Sequence, residues 1–350
     1  MLQQKVLSLL EISEMTGGVL KGDPNKKVIR ISDLSHNSVD TISPLWEKKF
    51  VSELKPDMTL LSKPGWIPED CMGVEVDDPR LALVSLLDFF DNHIKETPMI
   101  HVTAVISPSA SIGENVHIGP NCVISDNVVI GANCVLVGNI WIGNGVTVGD
   151  ATRIEPGAVL HESAVIGRNC IIHSNAVIGS DGFGFIPDKK VGLLRIPQIG
   201  KVIIQDSVEI GTCVCVDRAT FGETLVSSGT KLDALVKVGH NCHIGKFCIV
   251  VSQSGIAGSS TIGDGVVLAA QSGVANHASV GNGVTVAARG GIVNSVPDGA
   301  TVSGFPAQEH RKELKQMLAI KQLPELLSTI KELKHRVAEL EEAYEKKPNA

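Results

Sequence analysis

Aromatic residues are scarce in this chain of 350 residues: Phe, Trp and Tyr make up 3% of it, although 43% is hydrophobic. The chain can bury a large core, but that core must be aliphatic and regular rather than built around aromatic rings. The sequence also lacks an uncharged apolar stretch long enough to span a bilayer, and residues 1–12 lack a basic start followed by a sufficient apolar run. These absences predict a soluble, cytoplasmic protein without a transmembrane segment.

Excess positive charge and paired cysteine motifs are missing as well. The net charge of −7 argues against general nucleic-acid binding. No two of the eight cysteines form a CxxC pair, and the histidines show no close ligand cluster, so no metal site is expected. The cysteines are instead interpreted as reduced core fillers, because five of them share one small-residue position of a repeat: Cys122, Cys134, Cys170, Cys242 and Cys248.

What the chain does contain is a six-residue repeat. Every sixth residue is aliphatic from Ile106 to Ile178; the pattern resumes from Ile204 to Val216, slips by four residues, and continues from Val226 to Ile292. A period of six fits neither a helix nor a lone alternating strand, but it suits a chain wound as a triangular coil with one inward aliphatic residue per face. The chain is therefore predicted to be mainly β, a parallel β-solenoid of roughly nine coils.

The repeat divides the chain into three segments. Residues 1–100 lack it and mix strand and helix patterns, with a strand at Val74–Val76 and a helix at Leu81–Phe90, which predicts a small α/β domain. Residues 101–305 hold the repeat, and residues 306–350 change to a helical pattern.

In the C-terminal segment the pattern predicts two helices, an amphipathic one from about Ala307 to Gln322 and a second that Pro324 opens. The second carries a short heptad seam from Leu326 to Tyr344. Such a seam suits packing against the same chain, and it also suits a parallel trimer.

The repeat breaks twice, between Gly179 and Lys201 and again between Asp217 and Leu225. Both breaks are predicted to leave the coil as loops. Insertions in a solenoid gather on one face and often form its binding surface, so these loops are candidate walls of a site. The alternative is that each loop is only a surface excursion.

Residues that are 18 apart in sequence stack about 4.8 Å apart in successive coils. This spacing places His240 beneath Gly258, so that a general base would lie beside a backbone N–H suited to an oxyanion. Asp233, one face earlier, would orient the imidazole. His277, two coils above, would contact another part of the same ligand. The alternative for His240 is a solvated turn histidine.

A second stacked column consists of Gly255, Gly273 and Gly291, so one strip of the coil has lost its side chains. Together with Ala269 and Ala287, this strip predicts a shallow groove that would hold a straight hydrocarbon chain. Close approach of a neighbouring subunit explains the same strip, and both interpretations stay open.

Four motifs then occur in order on the repeat: GSDGFGF (Gly179–Phe185), RIPQIG (Arg195–Gly200), VDRA (Val216–Ala219) and VGHNCHIG (Val238–Gly245). In this combination, and with the domain order above, the chain closely resembles the UDP-3-O-(3-hydroxyacyl)glucosamine N-acyltransferases of lipid A synthesis. The resemblance covers essentially the whole chain. It implies a left-handed parallel β-helix of hexapeptide repeats, assembled as a homotrimer with active sites between subunits.

The resemblance also implies a reaction, the transfer of a 3-hydroxyacyl chain from acyl carrier protein to the 2-amine of a UDP-linked acylated glucosamine. His240 matches the general base and Gly258 matches the N–H donor to the thioester carbonyl. Asp233 matches the residue that supports the base, and His277 a histidine near the nucleotide sugar. No cofactor is implied, because the phosphopantetheine thioester of the carrier protein is the donor substrate. The basic stretch from Arg311 to Lys321 would suit an acidic carrier protein.

One stretch departs from the family pattern. The N-terminal domain of the family stacks uracil between two aromatics with an asparagine between them, whereas the similar stretch here runs from Leu60 to Trp66. Trp66 keeps an aromatic, but Leu60 stands where the first aromatic is expected and Lys63 where the asparagine is. The uridine would then be held on one aromatic face, or the nucleotide sugar would differ from the usual one, unless Trp66 is simply core of the small domain.

The leading hypothesis is direct attack by the amine without a covalent enzyme intermediate, because no serine or cysteine pairs convincingly with a base. Two alternatives are a short-chain acyltransferase that uses coenzyme A and a binding solenoid without catalysis. A comparison of carrier-protein and coenzyme A donors separates the two enzymes. Absence of bound ligand at His240 would favour the binding solenoid.

Overall fold

The protein is described here from a computed structural model that covers residues 5–91, 96–304 and 310–345. The chain divides into two units, Met1–Lys95 and Glu96–Ala350. The predicted repeat lies in the second unit, and its first strand, Met99–Ile100, slightly precedes the expected boundary near His101.

In the described part of the second unit, the six-residue repeat folds into three parallel sheets of nine, ten and eleven short strands. This confirms the predicted parallel β-solenoid, with about ten coils instead of roughly nine. The nine-stranded sheet comprises Ser111–Ile112, Val129–Ile130, Thr147–Val148, Val165–Ile166, Lys201–Ile204, Glu223–Val226, His243–Ile244, Thr261–Ile262 and Ser279–Val280. The ten-stranded sheet comprises Val105–Ile106, Val123–Ile124, Trp141–Ile142, Val159–Leu160, Val177–Ser180, Cys215–Asp217, Lys237–Val238, Gly255–Ile256, Gly273–Val274 and Gly291–Ile292. The eleven-stranded sheet comprises Met99–Ile100, His117–Ile118, Val135–Leu136, Arg153–Ile154, Ile171–Ile172, Glu209–Ile210, Lys231–Leu232, Ile249–Val250, Val267–Leu268, Thr285–Val286 and Thr301–Val302.

The aliphatic residue of each repeat fills the centre of the coil. Ile118 and Leu136 are fully buried, and so is Cys134 at the small position two residues before Leu136. Each such Ile or Leu contributes about 1.5–3 kcal/mol through removal of its side chain from water. The five cysteines of the repeat are buried and free, as predicted. Turn asparagines such as Asn121, with φ of 57°, take the left-handed conformation that asparagine tolerates well.

Both breaks in the repeat leave the coil as predicted. At the first break Val165 pairs with Ile203, and the intervening Phe185–Asp188 and Gly192–Arg195 form an antiparallel hairpin. At the second break Ile203 pairs with Leu225, four residues beyond the regular spacing of 18. The coil therefore resumes in register after each excursion.

The first unit is a small α/β fold. Its elements are β1 (Leu7–Ser8), α1 (Leu9–Thr16), β2 (Val19–Lys21), β3 (Lys27–Val28), β4 (Arg30–Ile31), β5 (Thr41–Pro44), β6 (Thr59–Ser62), β7 (Met72–Glu75) and α2 (Pro79–Phe90), with 3-10 turns at Leu34–His36 and Lys48–Glu53. A five-stranded sheet in the order β2-β7-β6-β5-β4 packs with the two helices, and β1 pairs with β3. The predicted strand near Val74 is β7. The predicted helix is α2, capped by Asp78, whose carboxylate accepts the Arg80 N–H at 2.9 Å.

The C-terminal segment forms one helix, α3 (His310–Glu345), with Pro324 inside it. The prediction that Pro324 opens a second helix was wrong. Proline removes one backbone hydrogen bond and clashes with the preceding turn, but the bonds on either side keep a long helix continuous. The expected start near Ala307 lies outside the described residues. Among the described residues, no helix combines the length and the apolar character needed to cross a bilayer.

Candidate active site

His240 lies at the corner after the strand Lys237–Val238 and is half-buried. Its Nδ1 is 3.1 Å from Oδ1 of Asn241. Two backbone bonds fix the orientation of the Asn241 amide: Nδ2 donates to the Phe221 carbonyl, and Oδ1 accepts the Thr220 N–H, each at 2.9 Å. Because an amide oxygen only accepts, Nδ1 of His240 carries a hydrogen, so in the neutral imidazole Nε2 is the nitrogen with the lone pair. Nε2 bonds to no described residue, so it is free to accept a proton.

The imidazole lies against the backbone of Gly258, as the spacing of 18 predicts. The strand Lys237–Val238 pairs in register with Gly255–Ile256, and the Ser259 N–H donates to the His240 carbonyl at 2.8 Å. A Cβ on Gly258 would lie 2.6 Å from Nε2 of His240, which is closer than real Cβ contacts come. With the ring in this position there is no room for a Cβ at position 258.

The N–H of Gly258 is available to a ligand. At an equivalent corner, the Lys246 N–H is capped by Oδ1 of Asp264, one coil on, at 2.7 Å. The residue one coil on from Gly258 is Asn276, yet the Gly258 N–H forms no hydrogen bond within the described part of the chain. A Cβ on Gly239 would lie 2.7 Å from the Gly258 nitrogen, so glycine at 239 keeps that nitrogen uncovered. A free N–H beside a free imidazole nitrogen suits acyl transfer.

The two excursions of the chain meet at His240 and form the wall of the site. A Cβ on Gly182, in the first excursion, would lie 2.7 Å from Cβ of His240 and 2.8 Å from Oε1 of Gln198. Gln198 is buried, and its Oε1 accepts a hydrogen bond from Oγ1 of Thr220, in the second excursion, at 3.0 Å. Sequence reasoning missed Gln198 and Asn241 as individual residues, although both lie inside motifs that it singled out.

Asp233 does not contact His240 within one chain. It follows the strand Lys231–Leu232 of the eleven-stranded sheet, whereas His240 follows a strand of the ten-stranded sheet. The Asp233 carboxylate accepts the N–H groups of Ala234, at 2.7 Å, and Ser252, at 3.1 Å. The expected pair between Asp233 and the imidazole is therefore not formed inside one chain, and Asn241 is the side chain that bonds to Nδ1.

The glycine strip forms a groove as predicted. Gly255, Gly273 and Gly291 pair in register on the ten-stranded sheet, and a Cβ on any of them would meet no described atom within 4 Å. The groove has a volume of about 500 Å³. Its alanines are Ala257 and Ala275. The predicted Ala269 and Ala287 instead follow Leu268 and Val286, which belong to the eleven-stranded sheet.

His277 lies on the same corner as Gly258, one coil on, and is exposed. Its N–H donates to the Gly258 carbonyl at 3.2 Å, and its φ of 58° is in the left-handed region. A histidine at this turn position presents its ring to solvent above the Gly258 corner, where a ligand at His240 could reach it.

In the first unit, the stretch expected to bind the nucleotide is a turn after β6. Lys63 is exposed and Trp66 is half-buried, and the Trp66 N–H donates to the Lys63 carbonyl at 3.3 Å. Leu60 is fully buried in a cluster with Met58 and Ile67. Leu60 therefore cannot stack on a base, which leaves Trp66 as the single aromatic of this stretch.

The first unit also has a cavity away from the turn that contains Trp66. It has a volume of about 850 Å³ and is lined by Phe50, Asn37 and Lys55, among other residues. An aromatic ring, an amide and a cation are groups that bind a nucleotide. Sequence reasoning passed over this cavity, because its residues come from separate turns with no shared motif.

Cys242 lies two residues after His240 but is not suited to be a nucleophile. It is fully buried, and its Sγ donates to the Ala257 carbonyl at 3.1 Å. Burial raises the pKa of its thiol to about 11, so the thiol is protonated at neutral pH. Among the described residues, no group of three or more His, Cys, Asp and Glu side chains could hold a metal ion.

A hexapeptide solenoid with a free corner histidine beside a free backbone N–H and an apolar groove defines an acyltransferase of the hexapeptide class. In agreement, residues 145–180 match the family described as "Bacterial transferase hexapeptide (six repeats)". The fold alone is shared with a solved UDP-N-acetylglucosamine acyltransferase of Arabidopsis, at 24% identity and a TM-score of 0.52, covering 59% of this chain and 71% of that one.

Relatives of known name define the family more narrowly. UDP-3-O-acylglucosamine N-acyltransferase 1 of Gloeobacter violaceus is 40% identical over 357 residues, which cover 95% of this chain and 97% of that protein. The UDP-3-O-acylglucosamine N-acyltransferase of Syntrophus aciditrophicus is 44% identical over 345 residues, covering 97% and 94%. The chain belongs to the UDP-3-O-acylglucosamine N-acyltransferase family and is an N-acyltransferase.

Proposed function

We propose that this protein transfers a 3-hydroxyacyl chain from acyl carrier protein to the 2-amine of a UDP-3-O-acylglucosamine-type sugar in lipid A synthesis, with His240 as the general base. The names of its relatives support the sugar acceptor. The observation that carries the catalytic part is the free Nε2 of His240 next to the free N–H of Gly258.

The reaction needs one proton acceptor and one oxyanion donor. The amine nitrogen attacks the thioester carbonyl carbon, Nε2 of His240 takes the amine proton, and the Gly258 N–H stabilises the oxyanion. When the C–S bond breaks, the proton passes from His240 to the leaving sulfur, which departs as a thiol. Asn241 holds the imidazole in the tautomer that this step requires. The inert Cys242 thiol supports direct attack over a covalent intermediate.

The groove supports a long acyl donor over an acetyl donor. From Gly255 to Gly291 it crosses three adjacent strands, a length of about 10 Å at 4.8 Å per strand. A short chain would leave most of this apolar surface uncovered, whereas a long chain would remove it from water. Exposed cations on α3 (Arg311, Lys315 and Lys321) suit an acidic carrier protein.

Nucleotide-sugar binding is assigned in this proposal to Trp66 and Lys63 of the first unit, with His277 contacting the sugar near the reacting amine. The cavity lined by Phe50 is the alternative location of the base. Equilibrium binding of UDP to Trp66→Ala and to Phe50→Ala separates the two locations. The aromatic residue whose replacement weakens binding at least about tenfold is the one that stacks on the base. The proposal also includes a cytoplasmic location and a homotrimer; sedimentation equilibrium of the purified protein tests the trimer.

The test of the catalytic proposal is turnover of purified protein with carrier-linked 3-hydroxyacyl donors and UDP-amino sugars. His240→Ala should lower kcat by about two to four orders of magnitude. His243→Ala is the matched control, because His243 is exposed on the nine-stranded sheet and should keep wild-type turnover. Wild-type kcat in His240→Ala would overturn the general-base assignment.

The donor is tested in the same assay. Acyl-coenzyme A of equal chain length should be a much poorer donor than the acyl carrier protein. Faster acetyl transfer from coenzyme A would instead favour the short-chain acyltransferase. A protein that binds the nucleotide sugar and turns over no donor would be a binding solenoid.

A further inference from the structure

Lys237 is at one end of the glycine groove. Among the described residues that line the groove, Lys237 alone is charged; the others are glycine, alanine, valine and isoleucine. Lys237 precedes Val238 on the ten-stranded sheet, and the next residue of its column is Gly255, which has no side chain to cover it. The groove therefore begins at the Lys237 side chain and continues over apolar surface.

A buried carboxylate holds this ammonium group. Asp217 has 3% of its side chain exposed, and its Oδ1 accepts hydrogen bonds from Nζ of Lys237 and, at 3.0 Å, from Oγ of Ser180. Lys237 keeps 49% of its side chain exposed. An ammonium group has three N–H donors. Its other two form no hydrogen bond to a described residue, so they point to solvent or to a ligand.

The position of Lys237 relates it to the first carbons of an acyl chain. A thioester carbonyl at the Gly258 N–H would lie next to His240, three residues after Lys237 on the same chain segment. The tail would run over Gly255 toward Gly291, away from the coil that holds Asp217. The carbons next to the carbonyl would lie beside Gly255, one coil and about 4.8 Å from the backbone of Lys237, which is within reach of a lysine side chain.

From this arrangement we infer that Lys237, anchored by Asp217, is a specificity-determining residue that donates a hydrogen bond to the oxygen on C3 of the acyl chain. The inference rests on the proposed function. A chain without that oxygen would place a methylene against the ammonium, removing water from two N–H groups and returning no acceptor. A site built to bond a hydroxyl discriminates strongly against the analogue that lacks it.

The experiment compares kcat/KM for 3-hydroxyacyl and unsubstituted acyl chains of equal length, both on carrier protein. The wild type should prefer the 3-hydroxyacyl donor by about tenfold or more. Lys237→Met should abolish this preference, mainly through slower transfer of the 3-hydroxyacyl chain, and Lys237→Gln, which keeps a donor, should restore part of it. A purely structural role would lower both rates together and leave their ratio unchanged.

Lys231→Met is the matched control. Lys231 holds the equivalent position before Leu232 on the eleven-stranded sheet, has the same 49% exposure and pairs with Glu209 at 3.6 Å. It should keep the wild-type ratio. A wild-type ratio in Lys237→Met, or a ratio near one in an active wild type, would overturn the inference and leave the proposed function standing. No transfer from either donor would overturn the proposed function and this inference together.

Discussion

Substituting Gly258 by alanine tests the contact on which the proposed chemistry depends. The new Cβ would lie 2.6 Å from Nε2 and 2.9 Å from Cε1 of His240, whereas an ordinary contact begins at 3.4 Å. The imidazole must therefore move by about 0.8 Å, and a displacement of about 1 Å of a reacting group costs on the order of 100-fold in rate. The φ of Gly258 lies outside the left-handed region, so alanine is compatible with the backbone. Turnover should fall about 100-fold while the fold remains.

The assay is kcat for amide formation at saturating donor and acceptor, together with thermal unfolding of the same preparation. Gly304→Ala is the control, because a Cβ there would meet nothing within 4 Å among the residues that the structure describes. It should keep wild-type kcat. A folded Gly258→Ala enzyme with wild-type kcat would refute the argument that His240 works from its position on Gly258.

Three further results are expected. Asn241→Ala removes the acceptor that orients the His240 ring, so kcat should fall at least about tenfold with little change in KM. A tenfold rise in KM with unchanged kcat would indicate a binding role instead. Gly273→Leu places a side chain in the open groove, so kcat/KM should fall by more than about tenfold for long acyl chains and little for short ones; equal losses across chain lengths would argue that the groove does not hold the chain. Hydrogen bonds from Arg153 lower the pKa of Glu96 to about 2 from its ordinary 4.5, so their ion pair stabilises the fold above about pH 4.5 and is lost as the pH falls toward 2. Glu96→Gln should flatten the loss of urea stability in that range, and an unchanged acid limb would contradict it.

The coil itself could be read from sequence because its repeat is local. An aliphatic residue every six positions fixes which side chains are buried, and the spacing of 18 fixes which residues stack. That is why the contact of His240 with Gly258 and the column from Gly255 to Gly291 were predicted correctly. Both features depend only on which residues stack on each other in successive coils.

The spacing does not say which way a side chain points at a corner. Asp233 is only seven residues before His240, but a corner separates them, and its carboxylate turns back to cap the Ser252 N–H. The orienting group is instead Asn241, whose amide is fixed by bonds to Thr220 and Phe221 of an excursion outside the repeat. Excursions have no period, so contacts made through them were beyond the reach of the sequence pattern.

The candidate site lies where the repeat lacks a corner cap and side-chain packing that stabilise it at other positions. A side chain at position 258 could cap the corner below, as Asp264 caps Lys246, but glycine there makes room for the His240 ring. The Gly258 N–H stays unbonded within the described chain, and a partly exposed N–H without a partner forgoes about 0.5–1.5 kcal/mol of net stabilisation. The groove glycines likewise give up side-chain packing that a purely structural coil would keep. These losses are concentrated on one corner and one face of the coil, beside the free Nε2 of His240. A scaffold without a ligand would have no physical reason to collect them there, and this favours a catalytic site over a passive solenoid.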